Sequence, residues 1–339
     1  MTAPGSTVTL SVADAEALCV EALRAAGASA PAAASLARAT VAAETGGQAS
    51  VGLAHLLDYL DALEAGRIDG DAVPVLTRPT PCIILSDAGG GIAHLGFDRA
   101  MKDLATAAGT YGVAIFSQRN AYTCGALGYF AGRLAEAGLV ALAATNGPAL
   151  LAGAGTTRPV FCTNPLAFAA PRAGGPPLLI DQSSSATAFV NVRAAAQRGE
   201  SIPEGWALGA DQLPTTDPNE AMRGALLAFG GTRGANVALM VEVMSAGLSG
   251  ANWSLDAPPI GEGRVSPGSG LFVLAIAPGL FGAGFEERLG AQLDRLAGHY
   301  GLHVPGRSKE AARRTAFDSG LRIPGHLHAD LLERARRVR

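Results

Sequence analysis

The chain has 339 residues, 48% of them apolar and only 16% charged, so it is long enough for two domains and should bury much of its surface, in part against a second copy. A net charge of −3 with no long basic run excludes the electrostatic footprint of a nucleic-acid-binding protein. No apolar run approaches ~18 residues without a break, Met-Thr-Ala-Pro-Gly-Ser is no signal peptide, and Cys19, Cys82, Cys124 and Cys162 contain no CxxC pair, so a cytoplasmic protein without membrane span, metal site or redox pair is expected. Cys19 and Cys82 lie in apolar surroundings and read as core.

Taken in order, Ser11 with Asp14 has the form of a capping box, which predicts a helix running to about Gly27. A second helix starts near Pro31, a residue tolerated in a first turn, and ends near Gly46. Leu53, Leu56, Leu57, Leu60 and Leu63 recur at helical spacing, so a third helix spans Leu53 to Ala65 and stops at Gly66. Alternation follows: strand Cys82–Leu85, helix Phe97–Tyr111, strand Val113–Ser117, helix Gly125–Ala137, strand Val140–Ala144. Further on come two apolar segments between Val160 and Asp181, a helix Asn236–Leu248, a strand Leu271–Ile276, a helix Phe285–Tyr300 and a basic helix His328–Arg337 that reads as a solvated face.

The two central segments carry the chemistry. The first ends at Pro171, which cannot donate to a sheet ladder, and the second ends in Asp181 followed by Gln182 and three serines. A carboxylate on a buried strand end is costly unless something pairs with it. Small hydroxyls and unobstructed N–H groups beside it suit a phosphate or a nicotinamide amide, and equally an ordinary polar turn. Asp87-Ala-Gly-Gly-Gly-Ile-Ala-His94 invites a dinucleotide reading, but His94 stands where the third glycine of G-x-G-x-x-G would fall, so a tight turn accounts for it better. Phe229-Gly-Gly-Thr-Arg-Gly234 is the stronger anion candidate, since Arg233 adds charge at a helix start, and Pro305-Gly306-Arg307-Ser-Lys309 is a weaker one.

In order along the chain, Thr163-Asn164-Pro165 with Ala167–Pro171, Asp181, Ile202-Pro-Glu-Gly-Trp206-Ala, Pro214-Thr-Thr-Asp-Pro218, Gly230-Gly-x-Arg-Gly234 and Pro305-Gly306 form a set. From about residue 10 to 310 it resembles the second malate/L-lactate dehydrogenase family, unrelated to the Rossmann lactate dehydrogenases, and looks most like its Δ1-piperideine-2-carboxylate/Δ1-pyrroline-2-carboxylate reductases. The resemblance implies an α/β fold: a non-Rossmann NAD(P)-binding domain with a mixed, largely antiparallel sheet, plus a domain of N-terminal helices and C-terminal segments. It divides the chain at 1–115, 116–280 and 281–339. It further implies a homodimer, NADPH or NADH as cofactor and a small-molecule substrate. Asn120, Gly147, Thr163, Asn164, Asp181, Gln182, Ser183, Arg233, Gly234 and Gly306 are the implied cofactor contacts.

The departures bear on the reaction. The family typically reads Ser-His-Gly before its third helix, then an Arg and a Tyr; here the run is Ser50-Val51-Gly52, with His55 in the Arg position and Tyr59 retained. A second family histidine is replaced by Thr123, and the Lys common after the Asp181 motif by Asn191. Losing both histidines should cost a ketone reductase on the order of 10²–10⁴ in rate, because the forming alkoxide needs an acid. A ketimine brings its own proton and is neutralised by hydride. The expected activity is therefore NAD(P)H-dependent reduction of a cyclic 2-imino acid, with Ser50, His55, Tyr59, Thr123 and Asp181 as the catalytic set. The rivals are a 2-hydroxy-acid, malate or ureidoglycolate-type dehydrogenase, and a family member with altered or lost catalysis.

Overall fold

Ser11 caps the first helix as its spacing demands: its Oγ accepts from the Asp14 N–H at 3.0 Å and donates to the Asp14 carboxylate at 2.7 Å. The structure, a computed structural model, describes residues 6–337. Its N-terminal part is strand β1 (Thr7–Leu10) and helices α1 (Val12–Ala25), α2 (Ala30–Thr45) and α3 (Leu53–Glu64). Helix α3 has no side-chain cap of its own; Glu44 of α2 supplies one, its Oε2 accepting from the Leu53 N–H at 2.8 Å. Only glycine fits at position 52, where a Cβ would stand 2.3 Å from that oxygen. The Val51-Gly52 entry is thus a packing feature that fixes where α3, and the side chains it carries, begin.

The central part runs β2 (Val75–Thr80), β3 (Ile83–Asp87), α4 (Ala93–Tyr111), β4 (Val113–Ala121), α5 (Gly128–Glu136) and β5 (Val140–Thr145). It continues with β6 (Leu151–Ala152), β7 (Pro159–Phe161), β8 (Leu166–Ala170), β9 (Leu178–Gln182), α6 (Phe189–Arg198), β10 (Ala207–Leu208) and β11 (Pro214–Thr215). Next are α7 (Pro218–Arg223), β12 (Ala225–Leu226), α8 (Thr232–Glu242) and β13 (Ser269–Ile276). The chain closes with α9 (Phe285–Tyr300), α10 (Arg307–Ser319), β14 (Leu321–Pro324) and α11 (Gly325–Ala335).

The main sheet has the order β2-β3-β4-β13-β5-β8-β9. Only β3 and β4 pair in parallel; every other neighbour is antiparallel, as the family resemblance implied and the α/β alternation alone did not. Helices α4 and α5 cover one face, where Phe97, Phe116, Phe130, Leu134 and Val273 form the core. A smaller sheet, β11-β10-β12-β6-β7, closes a satellite core with α6 through Val192, Ala195 and Leu226. The first and last strands meet: β1 pairs antiparallel with β14, and Ile323 and Leu331 join Leu23, Leu36, Leu56 and Leu60 in a third core.

Several expected bounds shift for identifiable reasons. Helix α4 starts at Ala93 rather than Phe97, because Gly89 and Gly90 take left-handed φ values and complete the turn early, bringing His94 into the first helical turn. The helix expected over Asn236–Leu248 starts at Thr232, and after Glu242 it passes into a π-helical turn, Val243–Gly247. Residues 75–111, expected with the N-terminal helices, pack into the main-sheet core, so a boundary at 115 falls inside one hydrophobic unit. Cys19 is core as expected, whereas Cys82 is only half-buried, on the turn before β3.

Candidate active site

Two groups of side chains face the loop between β4 and α5. The first is carried by α3. His55 and Tyr59 are one helical turn apart, so they share a face, and their rings meet edge-on at 5.0 Å. Tyr59 is 2% exposed; its hydroxyl donates to the Thr123 carbonyl at 3.2 Å and accepts from Thr123 Oγ1 at 2.8 Å. Burial pushes the Tyr59 phenol well above its ordinary range, so it stays neutral. His55 Nδ1 is 2.8 Å from Asp58 Oδ2, and the same oxygen lies 3.5 Å from an Arg193 terminal nitrogen on α6. Burial acts to raise the Asp58 carboxyl, but its interactions with His55 and with the Arg193 guanidinium bring it below the usual value.

The second group surrounds Asp181. This residue lies within β9, opposite Ala167, one position before the strand's last residue, Gln182, rather than at its end. Its Oδ2 accepts from the Gly128 N–H at the start of α5 at 2.9 Å and is 3.7 Å from Lys309 Nζ. Gly128 is required here, since a Cβ would stand 2.8 Å from that oxygen. Gly306, N-cap of α10 with φ +94°, sets the helix against β9, and a Cβ there would be 3.1 Å from the Leu179 nitrogen. A cavity of about 380 Å³ opens beside these residues, bounded by α2, α5 and α10 and lined in part by Leu179, Lys309, Arg38, Arg133 and Arg313. Thr123 and Gly128 belong to one loop, so the Tyr59 hydroxyl pair and the Asp181 carboxylate lie at its two ends.

The remaining expected contacts divide. Ser183 Oγ donates to the Ser185 carbonyl at 3.2 Å, and the turn is bound to the Gly-rich loop by Phe229 N–H to Ser184 O at 3.1 Å. The structure therefore joins the Asp181 motif and the 229–234 loop. Within that loop Gly234 is demanded by packing, a Cβ falling 2.1 Å from Phe229 O, while the Arg233 side chain is exposed. Gln182 and Ser50 are also exposed. Asn164 is fully buried, and its amide donates to Ala238 O at 2.8 Å and Glu242 Oε2 at 2.7 Å, so that side chain is engaged within the protein. Thr163 presents its carbonyl to the Ser184 N–H at 2.8 Å, and Gly147 packs on Cys162. Asn120 is set apart from the Asp181 group: it takes a φ of +55° near the end of β4, its amide donates to Asp87 at 2.9 Å, and its carbonyl accepts from the Gly90 N–H of the turn after β3 at 2.8 Å.

Two relevant side chains carried no sequence signal. Arg193 sits on a helix too weakly patterned to be read, with Val192 and Ala195 its only buried residues. His94 stood in what looked like a glycine loop. It is 1% exposed, stacks on Phe130 at 5.2 Å, and lies against the backbone of Cys124. Burial drives its pKa down to about 4, with Arg133 and His55 adding to the effect and Asp98 opposing it. Between pH 4 and the ordinary value of 6.5 the unfolded chain binds a proton that the folded chain refuses. Stability should therefore fall on acidification from pH 7 to 4, by up to about 3 kcal/mol from this residue. Denaturant unfolding of wild type and His94→Phe across that range checks it: the variant should lose that share of the slope.

A profile of the malate/L-lactate dehydrogenase family matches residues 10–332. The chain is 37% identical over 319 residues to a (2R)-3-sulfolactate dehydrogenase (NADP(+)) of Chromohalobacter salexigens, covering 93% of this chain and 94% of that protein. It is 35% identical over 330 residues to a Δ1-pyrroline-2-carboxylate reductase of Ancylobacter novellus, covering 96% of each. The crystal structure of a Δ1-piperideine-2-carboxylate reductase from Pseudomonas syringae pv. tomato superposes with a TM-score of 0.93 at 32% identity, over 96% of this chain and 99% of that one.

Proposed function

The chain belongs to the malate/L-lactate dehydrogenase family and is an NAD(P)-dependent oxidoreductase; we propose that within it the protein reduces a cyclic 2-imino acid, with NADPH as the hydride source. The residues beside the cavity suit such a cofactor. Lys309, Arg38, Arg133 and Arg313 line the cavity together with Glu16, Glu136 and Glu310, each of the four cations paired with a carboxylate that a phosphate would displace, and α5 turns a smooth face of Gly128 and Gly132 to the space, with nothing within 4 Å of a Cβ built at 132. When bound, the nicotinamide supplies hydride to the substrate carbon.

The protein's own part is electrostatic. A 2-imino acid protonated on nitrogen carries a positive charge, and Asp181 is the carboxylate placed to balance it. Thr123 and Tyr59 fix the other end of the loop, their hydroxyls joined to one another. The observation that carries the proposal is that the Gly128 N–H and Lys309 hold the Asp181 carboxylate beside the cavity, while His94 is shut away from solvent and His55 Nδ1 is engaged by Asp58. A built-in carboxylate suits a substrate that arrives protonated, whereas a ketone would have to draw its proton from His55, the imidazole that Asp58 already engages. With NADPH, Δ1-piperideine-2-carboxylate should be reduced with kcat/KM on the order of 10² or more above pyruvate or oxaloacetate, given the usual worth of a positioned acid. Faster keto-acid reduction overturns the proposal.

The relative named sulfolactate dehydrogenase supports a second reading, oxidation of a 2-hydroxy acid, which an assay with NADP and a hydroxy-acid panel separates. NADPH is favoured over NADH by that relative's name and by the cations around α10. A homodimer is supported by the exposed apolar side chains Leu239, Met240, Val243 and Leu248 along α8 and its π-turn.

A further inference from the structure

We propose that Arg193 is the residue that recognises the substrate's carboxylate. The inference rests on the reading that the substrate is a 2-imino acid, and it holds equally for a 2-hydroxy acid, since both carry that group. The helix α3 face presents His55, Asp58 and Tyr59, and of these only His55 can become positive. His55 Nδ1 is already engaged with Asp58 at 2.8 Å. Arg193 comes from a different element, α6, which begins six residues after Ser183 and whose Val192 and Ala195 are fixed in the satellite core. The guanidinium is thereby held out from that core towards α3.

Its only ion-pair contact among the described residues is a long one, 3.5 Å from one terminal nitrogen to Asp58 Oδ2, and its side chain is 43% exposed. An arginine presents five N–H donors in a planar fork, so one loose contact leaves an edge able to take a carboxylate through two parallel hydrogen bonds. Asp58 sets the fork's direction. Its Oδ2 is shared with His55, which limits how tightly it holds the guanidinium.

The test compares wild type with Arg193→Met and Arg193→Lys. For reduction with NADPH, Δ1-pyrroline-2-carboxylate is set against Δ1-pyrroline, the same ring without the carboxylate. Arg193→Met should raise KM for the carboxylated ring by about 20-fold or more, the worth of a charge-assisted hydrogen-bond pair, with kcat lowered less than about threefold. On the ring without the carboxylate the two proteins should be equal, and Arg193→Lys should recover part of the loss. A second measurement needs no turnover: binding of pyrrole-2-carboxylate and of pyrrole to the NADP complex, by calorimetry. Wild type should prefer the carboxylate and Arg193→Met should lose that preference, even if imines prove not to be reduced, in which case the function fails and the assignment stands. A preference that survives in Arg193→Met, no preference in wild type, or equal loss on both rings with a lowered melting temperature, which would mark Arg193 as a strut between α6 and α3, overturns it.

Discussion

Asp181→Asn is expected to lower kcat for cyclic-imine reduction by on the order of 10²–10³, the usual cost of removing one preorganised electrostatic group from an active site. The substitution is nearly isosteric, and the amide oxygen can still accept from the Gly128 N–H that the carboxylate now engages at 2.9 Å. The α5 start and the β9 register should therefore persist, and unfolding should show little change. What disappears is the negative charge. A protonated imine would then face a neutral amide with Lys309 beside it, so the charged substrate loses its partner and meets a like charge. The loss should also depend on the substrate: a 2-keto acid, whose reacting carbonyl carries no positive charge and which wild type reduces slowly, should lose far less. Steady-state kinetics on both substrates with NADPH decide it. A fall of less than about threefold on the imine, or an equal fall on both, would mean that Asp181 only anchors α5.

Much of the helical frame was legible because its signals are local. Ser11 and Asp14 mark a cap, Pro31 a first turn, and the leucines of α3 a stripe, and each does in the structure what its chemistry demands. The weakly patterned elements were not legible. Strand β2, Val-Leu-Thr-Arg-Pro-Thr, is an exposed edge strand containing a proline, and α10 buries only Ala316. The largely antiparallel order of the sheet was legible only through the family resemblance, because β13 enters between β4 and β5 from more than a hundred residues away. In the site, Asp181, Tyr59 and Thr123 could be named from motif positions, but their hydrogen bonds could not. That Tyr59 is joined to Thr123, and Asp181 to Gly128 and Lys309, depends on how α3, β9 and α10 converge on one loop. Asn164 shows the converse: its motif suggested a ligand contact, whereas its amide is engaged by a glutamate far along the chain whose role no local pattern revealed.

That glutamate, Glu242, is the basis of the largest expected effect on stability. It is 4% exposed at the end of α8, and three donors converge on it: Asn164 Nδ2 at 2.7 Å, Ser254 Oγ at 2.8 Å and the Ser254 N–H at 2.6 Å. Glu242→Ala should destabilise the protein by about 3–5 kcal/mol, since each stranded buried donor costs roughly 1–3 kcal/mol and the lost side chain leaves a void. Asn164 keeps its bond to Ala238 O, which holds the total below the full sum. Glu242→Gln should cost less, about 1–2 kcal/mol, because its oxygen still serves the Ser254 N–H and only its NH₂ opposes a donor. The damage should reach the site, because the Asn164 carbonyl accepts from Ser184 Oγ at 2.7 Å and the Thr163 carbonyl from the Ser184 N–H. Loosening Asn164 therefore frees the turn that follows Asp181. In Glu242→Gln, which should remain folded, KM for NADPH should rise more than KM for the imine. Denaturant unfolding and steady-state kinetics on the two variants test both parts, and a Glu242→Ala protein as stable as wild type would show that the network holds nothing in place.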